Sequence, residues 1–195
     1  MMSVCIVEDV AAVAASLEAI LKSREYGCQV FGSGEAFLNG CVTADCVLMD
    51  VRLPGLDGLS TLEEWRKSNA VTPAIVMTGH GDVRMAVNAF HSGAQDFIEK
   101  PFDPDELLAR MNSVIEQQSE ALMCSQAVQR LTPREQEVMK EVVAGHPNKV
   151  IAYNLGISPK TVELHRARVM EKTEAHNLSH LVRIALKANL EFDPA

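Results

Sequence analysis

The stretch CVLMDVRLPGLDG, residues 46–58, decides how the first half of the chain folds. CVLM is a continuous apolar run without the alternation of a strand that faces water on one side, so both its faces are covered, as in parallel sheets sandwiched between helices. The run ends on Asp50, and a Pro-Gly break at 54–55 precedes a helix-period segment at 58–67. Outward from there, four more short runs each lead into a helix-period segment: SVCIV (3–7) into 11–24, CQVF (28–31) into 34–39, AIVMT (74–78) into 82–92, and DFIE (96–99) into 104 onward. This fivefold alternation predicts an α/β fold, a doubly wound five-stranded parallel sheet.

The chain has 195 residues, more than one core of ~100–150 residues usually takes, and its 47% hydrophobic and 23% charged composition is that of a globular protein. No apolar run approaches the ~18–20 residues of a membrane-spanning helix. The first nine residues lack a basic segment followed by a signal-like apolar one, so a cytoplasmic location and no membrane partner are expected. The five cysteines form no CxxC pair, and Cys5, Cys28 and Cys46 sit in apolar runs, which predicts reduced, mostly buried thiols. The net charge of −8 is unevenly distributed: residues 1–116 hold 17 acids against 8 bases, and residues 131–188 hold 6 against 9. An acidic front and a mildly basic back predict two modules with different partners.

In an open parallel sheet the carboxyl ends of the strands meet at a crevice where strand order reverses. The residues at those ends are Glu8 and Asp9 after strand 1, Asp50 on strand 3, Thr78 on strand 4, and Lys100-Pro101 after strand 5. Three carboxylates brought together repel one another unless a cation intervenes, and a hard, oxygen-ligated ion such as Mg²⁺ suits them, with the Arg52 backbone carbonyl completing the shell. Metal and Lys100 would neutralise an incoming phosphoryl group while a carboxylate attacks phosphorus in line, and Asp50, at the end of the central strand, is the expected nucleophile.

These residues resemble the receiver domains of two-component response regulators over nearly all of residues 1–116. The resemblance is carried by Glu8-Asp9, MDVRLPGLDG, MTGHGD and DFIEKPF, and MTGHGD with IEKPF is similar to the FixJ branch of the NarL/FixJ family. It implies a flavodoxin-like fold, phosphorylation of Asp50 by a sensor histidine kinase, Mg²⁺ held by Asp9, Asp50 and the Arg52 carbonyl with Glu8 acting through water, and no enzyme activity beyond slow self-phosphotransfer and autodephosphorylation. Many receivers carry two aspartates where this chain has Glu8-Asp9; the charge is kept, and altered metal affinity or acyl-phosphate lifetime is expected. The resemblance further implies that Thr78 turns toward the phosphoryl oxygens, that Phe97 turns inward, and that a face containing Val83, Val87, Phe90, Ala94 and Phe97 changes and dimerises.

Residues 105–130 keep a helical spacing without Gly or Pro, which predicts a last receiver helix running into a polar helical linker, 117–130. From Leu131 strand patterns cease. Thr132-Pro133 opens a helix closed by Gly145, Asn148–Leu155 forms a second, Gly156 is the turn, Ser158-Pro159 opens a third that runs to about Thr173, and Asn177 opens a fourth that ends near Ala188.

Residues 131–195 resemble the LuxR-type helix-turn-helix DNA-binding domain. The third helix buries Ile157, Val162, Val169 and Met170, and its opposite side fits the major groove. Glu163, Leu164, Ala167 and Arg168 are assigned to base edges, and Lys149, Lys160, Thr161, His165 and Lys172 to phosphates. The fourth helix, with Leu178, Leu181 and Val182, pairs two domains in this family, so a homodimer formed on phosphorylation would read duplex DNA as an inverted repeat, with RNA polymerase as a further partner. Two other readings differ in class. A phosphatase-like enzyme of the haloacid-dehalogenase type needs an acid two residues after the nucleophile, where Arg52 stands; a receiver that only docks or dimerises would ignore phosphate.

Overall fold

Five parallel strands, β1 (Ser3–Val7), β2 (Gly27–Phe31), β3 (Cys46–Asp50), β4 (Ala74–Thr78) and β5 (Asp96–Glu99), pair in the order β2-β1-β3-β4-β5. The computed structural model describes residues 2–41, 43–69, 71–79 and 83–190. It divides into two compact units, Met1–Gln118 and Ser119–Ala195. The doubly wound sheet expected from the alternation is the architecture of the first unit.

Side chains alternate across a strand, and both faces of this sheet are covered accordingly. Val4, Ile6, Leu48, Ile75 and Met77 pack against α1 (Ala11–Lys22) and the first half of α5 (Pro104–Gln129), through Leu17, Leu21, Leu107 and Met111. Cys5, Val7, Val47, Met49 and Val76 turn the other way, onto Phe37 of α2 (Gly34–Gly40), Leu62 and Trp65 of α3 (Gly58–Arg66), and Ala89 of α4 (Val83–His91). All five residues of β3 are buried, which is why its sequence shows no alternation. Asp57 caps α3 by accepting from the Ser60 N–H.

The second unit contains α6 (Pro133–Val143), α7 (Asn148–Leu155), α8 (Pro159–Lys172) and α9 (Leu178–Lys187). Its helix boundaries follow the punctuation in the sequence. Thr132 and Glu135 form a reciprocal capping box, Ser158 accepts from the Thr161 N–H, and Asn177 accepts from the His180 N–H. Gly156 takes the left-handed conformation (φ 64°) that ends α7 and turns the chain into α8. Val138, Met139, Val142, Ile151, Val162, Val169, Leu181 and Ile184 form the core.

The late part of α5 belongs with this second core. Val128 is buried in it, Cys124 packs against it, and the Lys187 ammonium pairs with the Glu120 carboxylate. The stretch that reads as a polar linker therefore carries core residues at two of its few apolar positions. Among the described residues, no helix is long and apolar enough to cross a membrane.

Candidate functional site

The turn after β3 is shaped by close packing around Asp50. A Cβ on Gly58 would lie 1.9 Å from the Asp50 carbonyl oxygen, so only glycine lets α3 begin there. The Gly58 N–H donates to the Val51 carbonyl (2.9 Å), and the Arg52 N–H donates to Asp50 Oδ2 (3.0 Å). Asp50 thus sits at the mouth of a tight turn, 7% exposed. β1 lies beside β3, while β2 and β4 lie on their far sides, so the gap between the carboxyl ends of β1 and β3 is the topological switch point.

Glu8 reaches this gap almost fully buried, and Asp9 sits exposed at its rim. Carboxylate oxygens of Glu8, Asp9 and Asp50 all lie within 4.8 Å of one another. Among the described residues the cation between them is Lys100, whose Nζ donates to Glu8 Oε2 (2.5 Å) and Asp50 Oδ1 (2.7 Å). Burial works against the Lys100 ammonium, but hydrogen bonds and charge attraction from Asp50 and Glu8 outweigh it and raise its pKa above the ordinary 10.5. One lysine against three carboxylates leaves negative charge uncompensated, and the donors are all hard oxygens. That set fits a divalent cation such as Mg²⁺ and is the wrong kind for a soft metal.

Lys100 is positioned from the backbone by its N–H, which donates to the Thr78 carbonyl (2.7 Å), and the Lys100–Pro101 peptide is cis. Thr78 is 3% exposed at the end of β4. Beyond it, Phe97 is half-buried against the sheet, and its ring meets that of Phe90 edge-on at 6.1 Å between centroids. Val83, Val87 and Phe90 are 81%, 46% and 49% exposed, so α4 shows an apolar face to its surroundings while Ala94, expected on the same face, is buried. His80, Gly81 and Asp82 of the MTGHGD string lie outside the described residues.

In the second unit, α8 packs through Val162 (0% exposed) and Val169 (1%), and it turns Lys160, Glu163, Leu164, Ala167 and Arg168 outward. Arg166 Nη1 donates to Asn148 Oδ1 (2.7 Å), which ties α8 to the start of α7. Lys149 is exposed on α7, and Thr161 is part of the cap that opens α8. His165 is half-buried, and its Nδ1 is enclosed without a hydrogen bond, so an outside contact would run through Nε2.

Two expected roles are corrected. Lys172 donates to Glu135 Oε2 (2.6 Å), and Glu135 is 2% exposed, so this lysine anchors α8 to α6 and is not held out toward a phosphate. That hydrogen bond, helped by two from Thr132 and opposed by burial, pulls the Glu135 carboxyl down to about 2. Leu181, expected on a dimer face, is 1% exposed in the core of its own unit. The exposed apolar residues of α9 are Leu178 and Leu186, with Val182 half-buried between them. Sequence reading also passed over Tyr153, which is 87% exposed on α7 four residues after Lys149. An aromatic residue on the polar side of a short amphipathic helix was the available signal.

Comparison with known proteins supplies the decisive observation. Residues 4–112 match the model of the response regulator receiver domain, and residues 129–185 match that of the luxR family of bacterial regulatory proteins. The chain is a response regulator. It is 42% identical to transcriptional regulatory protein FixJ of Bradyrhizobium diazoefficiens (strain USDA 110), with 95% of both proteins covered. It is likewise 42% identical to FixJ of Rhizobium meliloti (strain 1021), covering 94% of this chain and 95% of that protein. The crystal structure of full-length FixJ from B. japonicum aligns with a TM-score of 0.57 at 40% identity, covering 97% of this chain and 98% of that one. This response regulator is a FixJ-like, phosphorylation-dependent, LuxR-type DNA-binding transcription regulator with an acidic pocket of Glu8, Asp9 and Asp50, and its family is non-enzymatic. A receiver implies a histidine kinase partner, and a helix-turn-helix implies DNA.

Proposed function

We propose that Asp50 accepts a phosphoryl group from a sensor histidine kinase, and that the modified receiver, residues 1–116, switches dimerisation and DNA binding by residues 131–195. The observation that carries this reading is the clustering of the Glu8, Asp9 and Asp50 carboxylates, with Lys100 bridging Glu8 and Asp50. Asp9, Asp50 and the Arg52 carbonyl would hold Mg²⁺ directly, with Glu8 acting through water. The ion, when bound, supplies the charge that lets an anionic phosphoryl donor approach an acidic pocket. Asp50 is the nucleophile. Once its carboxylate is phosphorylated to an acyl phosphate, Lys100 exchanges a carboxylate partner for phosphoryl oxygens, and Thr78, one residue beyond Met77, the β4 partner of Asp50, offers its hydroxyl to the same group.

The added charge of about −1.5 to −2 has an effect only if a second arrangement is available to meet it. Rotation of Thr78 toward the phosphoryl group makes room for Phe97, and withdrawal of Phe97 from Phe90 changes the exposed α4 face of Val83, Val87 and Phe90. That face dimerises. In the second unit Glu163, Leu164, Ala167 and Arg168 read base edges, while Lys149, Lys160, Thr161 and His165 hold phosphates. Leu178 and Val182 of α9 join two DNA-binding units on an inverted repeat with half-site centres about one helical turn apart. The regulator works in the cytoplasm.

Genome-wide footprinting of wild type and Asp50→Asn in cells tests the reading. Discrete operators occupied by wild type and lost in the variant support it. Equal occupancy by both would leave the receiver as a docking module that ignores phosphate.

A further inference from the structure

Cys5 is fully buried in the middle of β1, and its side chain points to the face of the sheet covered by α2 and α3. Cys41 caps the C-terminal end of α2 and packs against the same cluster while remaining half-buried. The two Sγ atoms lie 3.1 Å apart, although 36 positions separate them in the chain. A disulfide bond is about 2.05 Å long, so an approach of about 1 Å would join them. Among the described residues, Cys28 and Cys46 pack with the apolar core, and each thiol points to a backbone carbonyl at 3.9 Å.

We propose that Cys5 and Cys41 form an oxidation site that a peroxide converts into an intramolecular disulfide tying β1 to the end of α2. Cys41 is the less buried residue of the pair, so it attacks the peroxide first. Its sulfur gains an oxygen, giving a sulfenic acid, and one water leaves. Cys5 then attacks that sulfur. The S–S bond forms as the S–O bond breaks, and the departing hydroxyl takes up the Cys5 proton and leaves as a second water. The dithiol has lost two hydrogens and the peroxide has been reduced. Burial, with the hydrogen bond to Cys41 second, pushes the Cys5 thiol well above its ordinary value, so its attack on Cys41 rests on the 3.1 Å contact between the two sulfurs and not on thiolate reactivity. The Cys5 S–H also points to Gln29 Oε1 (3.6 Å) on the neighbouring β2. Where glutathione keeps thiols reduced, the dithiol is the resting form.

The test uses the folded full-length chain, titrated with hydrogen peroxide and then alkylated, digested without reductant and mapped by mass spectrometry. A Cys5–Cys41 linked peptide should form, about 2 Da lighter than the two thiol peptides together, and it should exceed any other pairing by about tenfold and disappear on reduction. Cys41→Ser, a change at a half-buried site, should leave Cys5 reduced and the fold intact by circular dichroism, and Cys28→Ser should change nothing. The proposal is overturned if the linked peptide appears only after unfolding, or if oxidation halts at Cys41 sulfenic or sulfinic acid with Cys5 still alkylatable on denaturation. None of these readouts depends on phosphorylation or DNA binding, so this proposal and the reading of Asp50 can fail separately.

Discussion

The pocket around Asp50 and the outer face of α8 both depend on charged side chains, but they place them in opposite ways. In the pocket the working carboxylates Glu8 and Asp50 are themselves buried, 2% and 7% exposed, and a single ammonium holds both. In α8 the buried or tied charges, Lys172 with Glu135 and Arg166 with Asn148, lie on the packed side, and Lys160, Glu163 and Arg168, proposed to contact DNA, are exposed. Buried charge responds strongly to one added phosphoryl group because little water screens it. Exposed charge on a helix held firmly from behind can follow the shape of a groove at little cost. The receiver is built to be perturbed, and the reading helix is built to stay in place.

The largest expected effect is at the pocket. Asp50→Asn keeps the shape and removes the nucleophile, so labelling by acetyl phosphate with Mg²⁺ should fall to background; residual labelling at Asp9 would show that the nucleophile has been misassigned. Lys100→Ala should lower labelling less, since it removes a partner of the phosphoryl oxygens and leaves the attacking group.

Next is the contrast within α8. Arg168→Ala should weaken binding to the operator by about 1–3 kcal/mol and relax preference at one base position, measured by competition among operator variants. Lys160→Ala should weaken all sequences alike and reduce the salt dependence of binding by about one counterion. Equal behaviour of the two variants would break the division between base and phosphate contacts.

Glu135→Gln tests whether the rear charges of the second unit hold α8 in place. It removes the charge from the hydrogen bond to Lys172 while keeping a capping-box acceptor for the Thr132 N–H, for a loss of about 1–3 kcal/mol of stability by denaturant melts. The sign of its pH dependence follows from the depressed carboxyl. A group lowered from the ordinary 4.5 to about 2 contributes stability above 4.5 that is lost as pH falls through about 2. Wild type should therefore lose stability across that interval, and the variant should lose less. The smallest effect is expected at Ser158→Ala, about 1 kcal/mol from loss of the α8 cap.

What the sequence disclosed follows the range of the interactions. The strands, the caps at Thr132, Ser158 and Asn177, and the convergence of Glu8, Asp9, Asp50 and Lys100 are written in local runs and in the topology those runs impose. Lys172 was misjudged because its partner Glu135 lies 37 positions away on another helix, and nothing in the spacing of α8 distinguishes a tied lysine from a solvated one. Leu181 was misjudged because α9 carries more apolar residues than one stripe needs, and only packing selects which leucine turns inward. Cys124 and Val128 sit in a mostly polar stretch, so their place in the second core could not be read from periodicity alone.

The central claim is that charge added at Asp50 governs the reading helix. Its most direct test is to treat full-length wild type and Asp50→Asn with acetyl phosphate and Mg²⁺, and to follow mass by light scattering and affinity for an operator by anisotropy. The account predicts that labelled wild type becomes dimeric and binds about tenfold or more tighter, a coupling of the size common between linked sites, while Asp50→Asn is unchanged. Wild type that is demonstrably labelled at Asp50, yet keeps its mass and its affinity, would contradict it.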